Sequence, residues 1–502
     1  MTRTRLFVLA GALVALGATT LICLPPSKKL MLAAQTQPVT NRAASSRAKL
    51  VRSSAASPAA QPPVAAEVNG APAPLAPPGT VLHVARRGES MASLVRTYLS
   101  PSSFMTGAEL EAAVRQANPG LTGTYLKPGE PVIVPGMNGP IVERSLAVSK
   151  DYEVRAVYLT GIMAASARGM EIVRRWRAVG GNAVVFDVKD SDGIVNIPFE
   201  HSLNVNAPRP VIRNLPKFTR WLHQQGMMAI ARVAIFRDER MVSKHPELAI
   251  RSRQSGQPWR ENGKLVWTDP SRPEVQEFNI ALAREAAKAG VDEIQFDYVR
   301  FPAEGAQKDA QFAFEKMHKD WQRTDVIADF LARAHAELKP LNVLISLDVF
   351  GVMAWQRSVD LAHTGQDIVR MARHCDVLSP MIYPSHFYGM DGYALPGDAP
   401  EHFISSSMER FQQITAGSGV VLRPWLQAFG WRTKTYSPAY VATQVRVARQ
   451  KGGLGFLFWN ARNDYSKPYA AMPEMQRDRD KFFRGDQLPS AKVPGAPLPA
   501  GD

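Results

Sequence analysis

The chain has 502 residues, of which 45% are hydrophobic, 21% charged and 8% aromatic, an ordinary globular composition with material for a large core. The formal net charge of +15 would suit a nucleic-acid partner, but its distribution argues against one. Arg3, Arg5, Lys28, Lys29, Arg42, Arg47, Lys49 and Arg52 all precede any plausible domain, where basic residues beside an apolar run orient a membrane segment instead.

Arg3 and Arg5 lead into LFVLAGALVALGATTLICL, residues 6–24, which has the layout of an export signal and just enough length to span a bilayer. Residues 1–34 are therefore expected to be a signal peptide or membrane anchor, cleaved near Ala33–Ala34 or retained. Leu21 and Ile22 before Cys23 do not suit lipidation. The bulk of the chain is expected outside the cytoplasm, in the periplasm or anchored facing it. Cys23 and Cys375 lie in different segments, so no disulfide is expected between them.

Residues 35–80 are rich in Ala, Pro, Ser and Gln, cannot bury enough apolar surface to order themselves, and read as a linker. The tail, 486–502, has the same character. Between linker and main body, residues 81–137 predict a strand, two helices and a second strand. Val132 and Val134 alternate in the last strand, Ser90 caps the first helix, and Leu94 and Tyr98 follow at helical spacing. The motifs V-x-R-x-G-E-S-M, R-Q-A-N-P-G and L-K-P-G-E-P-V-I-V-P resemble the LysM module, which implies contact with N-acetylglucosamine polymers such as peptidoglycan. The insertion SPSSFMTGAE between the helices departs from the compact form of that module and could cover its groove; a plain spacer is the alternative.

From residue 154 strand-like and helix-like runs alternate eight times. The strands are 154–160, 182–189, 228–236, 292–301, 343–351, 376–384, 420–430 and 454–461. They are nearly continuous in hydrophobicity, as strands buried on both faces must be. Helices run into Gly180–Gly181, Gly290 and Gly452–Gly453 just before the next strand. Residues 150–485 are thus expected to form an α/β fold of the (β/α)₈ class, a closed TIM barrel. An open doubly wound sheet is disfavoured because no Gly-rich phosphate loop follows the first strand.

In such a barrel the functional side chains stand at the C-terminal ends of the strands. Those ends supply Asp187 and Lys189, Asp297 and Arg300, Asp348, Tyr383 and His386, Gln427 and Trp431, then Trp459 and Asn460. An unpaired carboxylate at a buried strand end is costly, so acids at three ends are hard to explain by packing. Glu293, Gln295 and Asp297 share one face of strand four. Glu293 falls at the bottom, where a structural ion pair is expected, and Asp297 at the top, where Arg300 is expected to hold it ionised. Asp348 is the second acid; it could instead cap a turn. Aromatic faces stack on sugar rings, so Trp355, Tyr383, Trp431 and Trp459 suit carbohydrate, whereas Trp425 and Phe456 lie mid-strand and read as core.

The segments FDVKD, VAIFRD, WTDP, EIQFDYVRFP, SLDVFG, SPMIYPSHF, QAFGW and GFLFWNA resemble the putative glycoside hydrolase domain family of bacterial exported barrels, over nearly all of residues 154–470. The resemblance implies a glycosidase-like barrel with the strand-four aspartate, Asp297, in the catalytic position. The expected chemistry is hydrolysis of a cell-envelope or extracellular polysaccharide. Asp297 would be nucleophile and Asp348 acid, with Asp187 as substitute, and Asp187, Lys189, Arg300, Tyr383, Gln427, Trp431, Trp459 and Asn460 would bind substrate. No cofactor or metal is required by this scheme. Two rival readings remain at this stage: Mg²⁺ held by Asp187, Asp297 and Asp348, and a barrel that binds glycan at the cell wall without cleaving it.

Overall fold

The computed structural model describes residues 76–137, 149–205 and 207–485. The expected export segment and tail, and nearly all of the linker, lie outside them. No helix among the described residues is long and apolar enough to cross a membrane.

Residues 80–135 form the expected βααβ unit. Strands Thr80–Val84 and Pro131–Pro135 pair antiparallel, and helices Met91–Leu99 and Gly107–Ala117 lie between them in sequence. Ser90 and Ser93 close a reciprocal cap on the first helix, and Thr106 and Glu109 do so on the second. Leu94, Leu110, Val114, Val132 and Val134 are fully buried in its small core.

The inter-helix insertion has a structural use. Lys217 of the barrel donates from Nζ to the carbonyl of Leu99 at 2.6 Å, Glu109 pairs with Arg174, and Met105 packs against the barrel core. Arg174 and Lys217 belong to helices Ala167–Ala178 and Leu215–Gln224, so the insertion and the helix end just before it dock the small unit on these two barrel helices.

The barrel closes through eight parallel strands. They are Val154–Leu159, Ala183–Lys189, Met228–Ala234, Glu293–Asp297, Leu344–Phe350, Val377–Ile382, an interrupted seventh strand, and Gly455–Trp459, which pairs back to the first. Two boundaries differ from expectation. The seventh strand is two pieces, Val421–Leu422 and Trp425–Gln427, split at Arg423–Pro424 where proline has no N–H to give the ladder. The fourth strand stops at Asp297 because Tyr298 turns into the left-handed region at φ 53°, which costs a non-glycine residue strain. The expected glycines do end helices: Gly180, Gly290 and Gly452 have φ between 89° and 100°.

Two apolar layers hold the barrel. An outer layer packs strand faces such as Val184, Phe186, Ala231, Val233, Phe296 and Leu347 against the helices. An inner one fills the barrel with Ala156, Val185, Ile230, Trp425 and Leu457. Phe456 belongs to the outer layer and is core, as its mid-strand place implied. Near the bottom, fully buried Glu293 and Arg423 face each other at 2.7 and 3.0 Å, the ion pair expected for Glu293.

Candidate active site

Parity carries the site. On strand three Met228 and Ile230 point inward, so Arg232, two residues further toward the top, does too. Its guanidinium stands among three acids from three other strands. Nη1 is 2.5 Å from Asp187 Oδ1, Nη2 is 2.6 Å and Nε 3.1 Å from Asp297 Oδ2, and Nε is 3.9 Å from Asp348 Oδ2. All four side chains are at most 10% exposed. In the barrel register Asp187 lies beside Arg232, and Asp297 and Asp348 follow the paired residues Phe296 and Leu347, which sets the two acids on adjacent strands at one height.

The remaining contacts give each acid a different character. Asp297 accepts from the backbone N–H of Tyr298 at 2.6 Å, a bond made possible by the strained turn at that residue. Asp348 accepts from Trp425 Nε1 at 2.7 Å. Burial, then the neighbouring charge of Asp297, pushes the Asp348 carboxyl well above the usual range, which favours its protonated form. Asp187 accepts from the hydroxyl of Tyr158, and burial raises it as well. Tyr158 stacks on Trp459 with ring centroids 4.1 Å apart, and both rings face Arg232. One ionic cluster thus joins two carboxylates by an arginine, beside a protonated acid and under an aromatic wall.

Several sequence-based expectations are corrected by these positions. Arg300 does not pair with Asp297. Its guanidinium packs over Trp267, Tyr298 and Phe350 and donates to the Phe301 carbonyl; it lies past the end of the strand, an odd number of residues from inward-facing Asp297, and so does not share that face. Lys189 is fully buried outside the cavity. A register shift between Asp187 and Lys189 turns it toward the helices, where it pairs with Asp238 at 2.8 Å and with Asn279 at 3.2 Å. Gln427 spends its side chain on Ser385, Phe429 and Thr433, and Asn460 on Ala428, Arg462 and Asp464, so both shape loops. Trp355 packs on Phe387 beneath Arg410.

Asp187, Asp297, Asp348, Tyr383 and Trp459 are brought together as expected, while Trp431 stands further out on the rim, 38% exposed. Tyr383 sits close enough to feel the charges of both Asp348 and Asp297.

Arg232 and Tyr158 were missed, although each stands out. An arginine in the fully apolar run MAIARVA has no packing reason to be there, and Tyr158 is the inward residue nearest the end of strand one. Arg232 also bears on the Mg²⁺ reading, because its guanidinium takes the position between the three carboxylates that a cation would need.

Residues 156–465 match the family described as Putative glycosyl hydrolase domain, which is most of the barrel and more than half of the chain. The chain belongs to this family. Family membership supports glycoside hydrolase activity as its class of chemistry. No curated protein matches the chain. Among solved structures, the glycoside hydrolase domain of PgaB (BpsB) from Bordetella bronchiseptica is 15% identical, with a TM-score of 0.50 over 66% of this chain and 99% of that one, a likeness of fold. A hypothetical protein from Ruminiclostridium thermocellum ATCC 27405 is 34% identical over 38% of this chain and 97% of its own, with a TM-score of 0.34.

Proposed function

We propose that the chain hydrolyses a cell-envelope or extracellular polysaccharide, with Asp297 as nucleophile and Asp348 as the acid that protonates the leaving oxygen. The observation that carries this reading is the contrast between two neighbouring carboxyls. Asp297 is ion-paired through two N–H groups of Arg232, whereas Asp348 is buried and more distant from that arginine, surroundings that favour its protonated form. Environments that push two acids apart are what acid and nucleophile require. Because both Oδ2 atoms lie within 3.9 Å of Arg232 Nε, they cannot be further apart than the two distances laid end to end, about 7 Å. That bound accommodates the short separation of retaining enzymes, roughly 5 Å.

In the proposed reaction Asp297 attacks the anomeric carbon as Asp348 gives its proton to the departing oxygen. Asp348, now ionised, then takes a proton from the water that releases the glycosyl group. Tyr158 and Trp459 present a stacked pair against which a sugar ring can lie, and Tyr383 belongs to the same inner cluster.

The βααβ unit is proposed to hold the barrel at peptidoglycan, and the N-terminal segment to carry the chain across the inner membrane. The LysM-like motifs and the basic-apolar layout of residues 1–34 support these two parts of the reading. The direct test of the hydrolase reading is incubation of the full chain with peptidoglycan and secreted polysaccharides, scored by new reducing ends. A non-catalytic glycan-binding barrel would release none from any of them.

A further inference from the structure

Outside the carboxylate cluster, an aromatic path continues along the mouth of the barrel. Tyr383 contacts His386 and Phe429, with ring centroids 5.3 and 5.7 Å away, and His386 lies 5.2 Å from Trp431. Beyond Trp431, the guanidinium of Arg432 sits 4.5 Å from that indole and 5.2 Å from the ring of Tyr388. Trp431 is 38% and Tyr388 65% exposed, so the path ends in aromatic surface open to solvent on either side of Arg432. Arg432 makes no hydrogen bond or ion pair among the described residues. Its five donors are held between two rings with no acid to meet them.

The loop bearing these side chains is built rigidly. Arg432 has φ 49°, the left-handed region, and holds it because its surroundings leave little choice. Gln427 donates to the Phe429 carbonyl and to Thr433 Oγ, both at 2.9 Å, and Thr433 Oγ donates to the Trp431 carbonyl at 3.1 Å. Asp398 accepts from the Lys434 and Thr435 amides at 2.7 and 3.0 Å. Gly397 abuts the same turn so closely that a Cβ there would come within 2.2 Å of the Arg432 carbonyl. Strain at one exposed residue, clamped from three sides, fits a surface kept in shape for a ligand. Burial pulls His386 down to about 4, so the ring within the path is neutral and adds no cation to compete with Arg432.

We propose that Trp431, Arg432 and Tyr388 form an outer subsite that binds an acidic sugar unit of an extended polysaccharide. The proposal rests on the hydrolase reading of the adjoining cleft and names the substrate class: a chain carrying carboxylates, gripped some way from the bond that is cut. The rings stack on pyranose faces, and the planar guanidinium between them matches a uronate carboxylate in geometry and charge. Gln427 is then a positioning residue for this subsite.

The test is affinity electrophoresis of the full chain carrying Asp297→Asn, in gels containing polygalacturonate, alginate or neutral hydroxyethyl cellulose. The expected result is retardation by at least one of the two acidic polymers, weakened about tenfold by Arg432→Gln or Trp431→Ala, as loss of a charged hydrogen bond or a stacking face implies. Arg477→Gln, which removes the same charge from the exposed end of an outer helix, should leave it unchanged. Equal weakening by the Arg432 and Arg477 variants would overturn the proposal as non-specific charge attraction. So would retardation by the neutral polymer alone, or by none. The two readings fail separately. Retardation without reducing ends from the wild-type chain sinks the hydrolase reading, whereas cleavage with KM unmoved by Arg432→Gln sinks the subsite.

Discussion

Arg232 and Asp348 stand 3.9 Å apart, Nε to Oδ2, while the same nitrogen lies 3.1 Å from Asp297. This offset divides the labour between two acids on adjacent strands. The nearer one is paired as an ion, and the further one keeps its proton under burial and the charge of its neighbour.

Asp348→Asn removes the proton donor and little else, since an amide oxygen can still accept from Trp425 Nε1. Cleavage of the polysaccharide should fall about 10²–10⁴-fold, the usual worth of a general acid. Aryl glycosides with a good leaving group, which need little protonation, should be affected far less. Comparing kcat/KM on the two substrate types reads this directly.

The same variant carries a stability signature. The Asp348 carboxyl titrates higher in the fold than in the unfolded chain, so the folded protein holds that proton more tightly. Its favourable contribution is complete below about pH 4, the ordinary aspartate value, and is lost as pH rises above it. Asp348→Asn should therefore gain in Tm relative to the wild type as pH is raised from 4 to 8. A difference in Tm that stays flat across that range would count against a protonated Asp348.

Arg232→Met leaves Asp187 and Asp297 as neighbouring buried carboxylates without a counter-charge. Breaking a buried pair from one side typically costs about 3–5 kcal/mol. A drop of that order in urea or thermal unfolding is expected, partly recovered when Asp187→Asn is added, because one of the two stranded charges is then gone.

Glu293→Leu makes the corresponding test at the barrel floor. It strands Arg423, which is fully buried and already has two nitrogens without partners among the described residues. A loss of about 3–5 kcal/mol is expected, with substantial recovery in Glu293→Leu/Arg423→Met. Stability measurements on the single and double variants decide between an ion pair retained for stability and one that apolar packing can replace.

Much of this molecule was legible in the sequence because barrel strands announce themselves. Runs such as NAVVFDVK and VLISLDVFG are apolar on both faces and end in an acid, and that acid is where the chemistry gathers. What escaped were departures from strict alternation. The bulge beside Lys189 turns that side chain toward the helices, the left-handed turn at Tyr298 ends the strand at Asp297, and neither leaves a glycine or proline as a sign. Arg232 is less legible for a different reason: its charge lies two residues below the end of its strand, inside an apolar run. Gln427 and Asn460 lie where expected, but the loops they hold consume their hydrogen bonds.

The inter-helix insertion of the small unit, read from sequence as a possible cover for a groove, contacts the barrel through Met105 and Glu109, next to the contact made by Leu99 at the end of the preceding helix. A glycan-binding role for residues 81–137 predicts that purified peptidoglycan retains the full chain better than a chain shortened to begin near residue 145. Equal retention of both would assign any wall affinity to the barrel.

The most direct test of the account is the turnover of folded Asp297→Asn on whichever polysaccharide the wild-type chain cleaves. Arg232 keeps Asp187 as a partner in this variant, so near-native Tm and circular dichroism are expected. Release of reducing ends is expected to fall about 10⁴-fold or more, as for loss of a catalytic nucleophile acting with its partner. A folded Asp297→Asn protein that cleaves at the wild-type rate would contradict it.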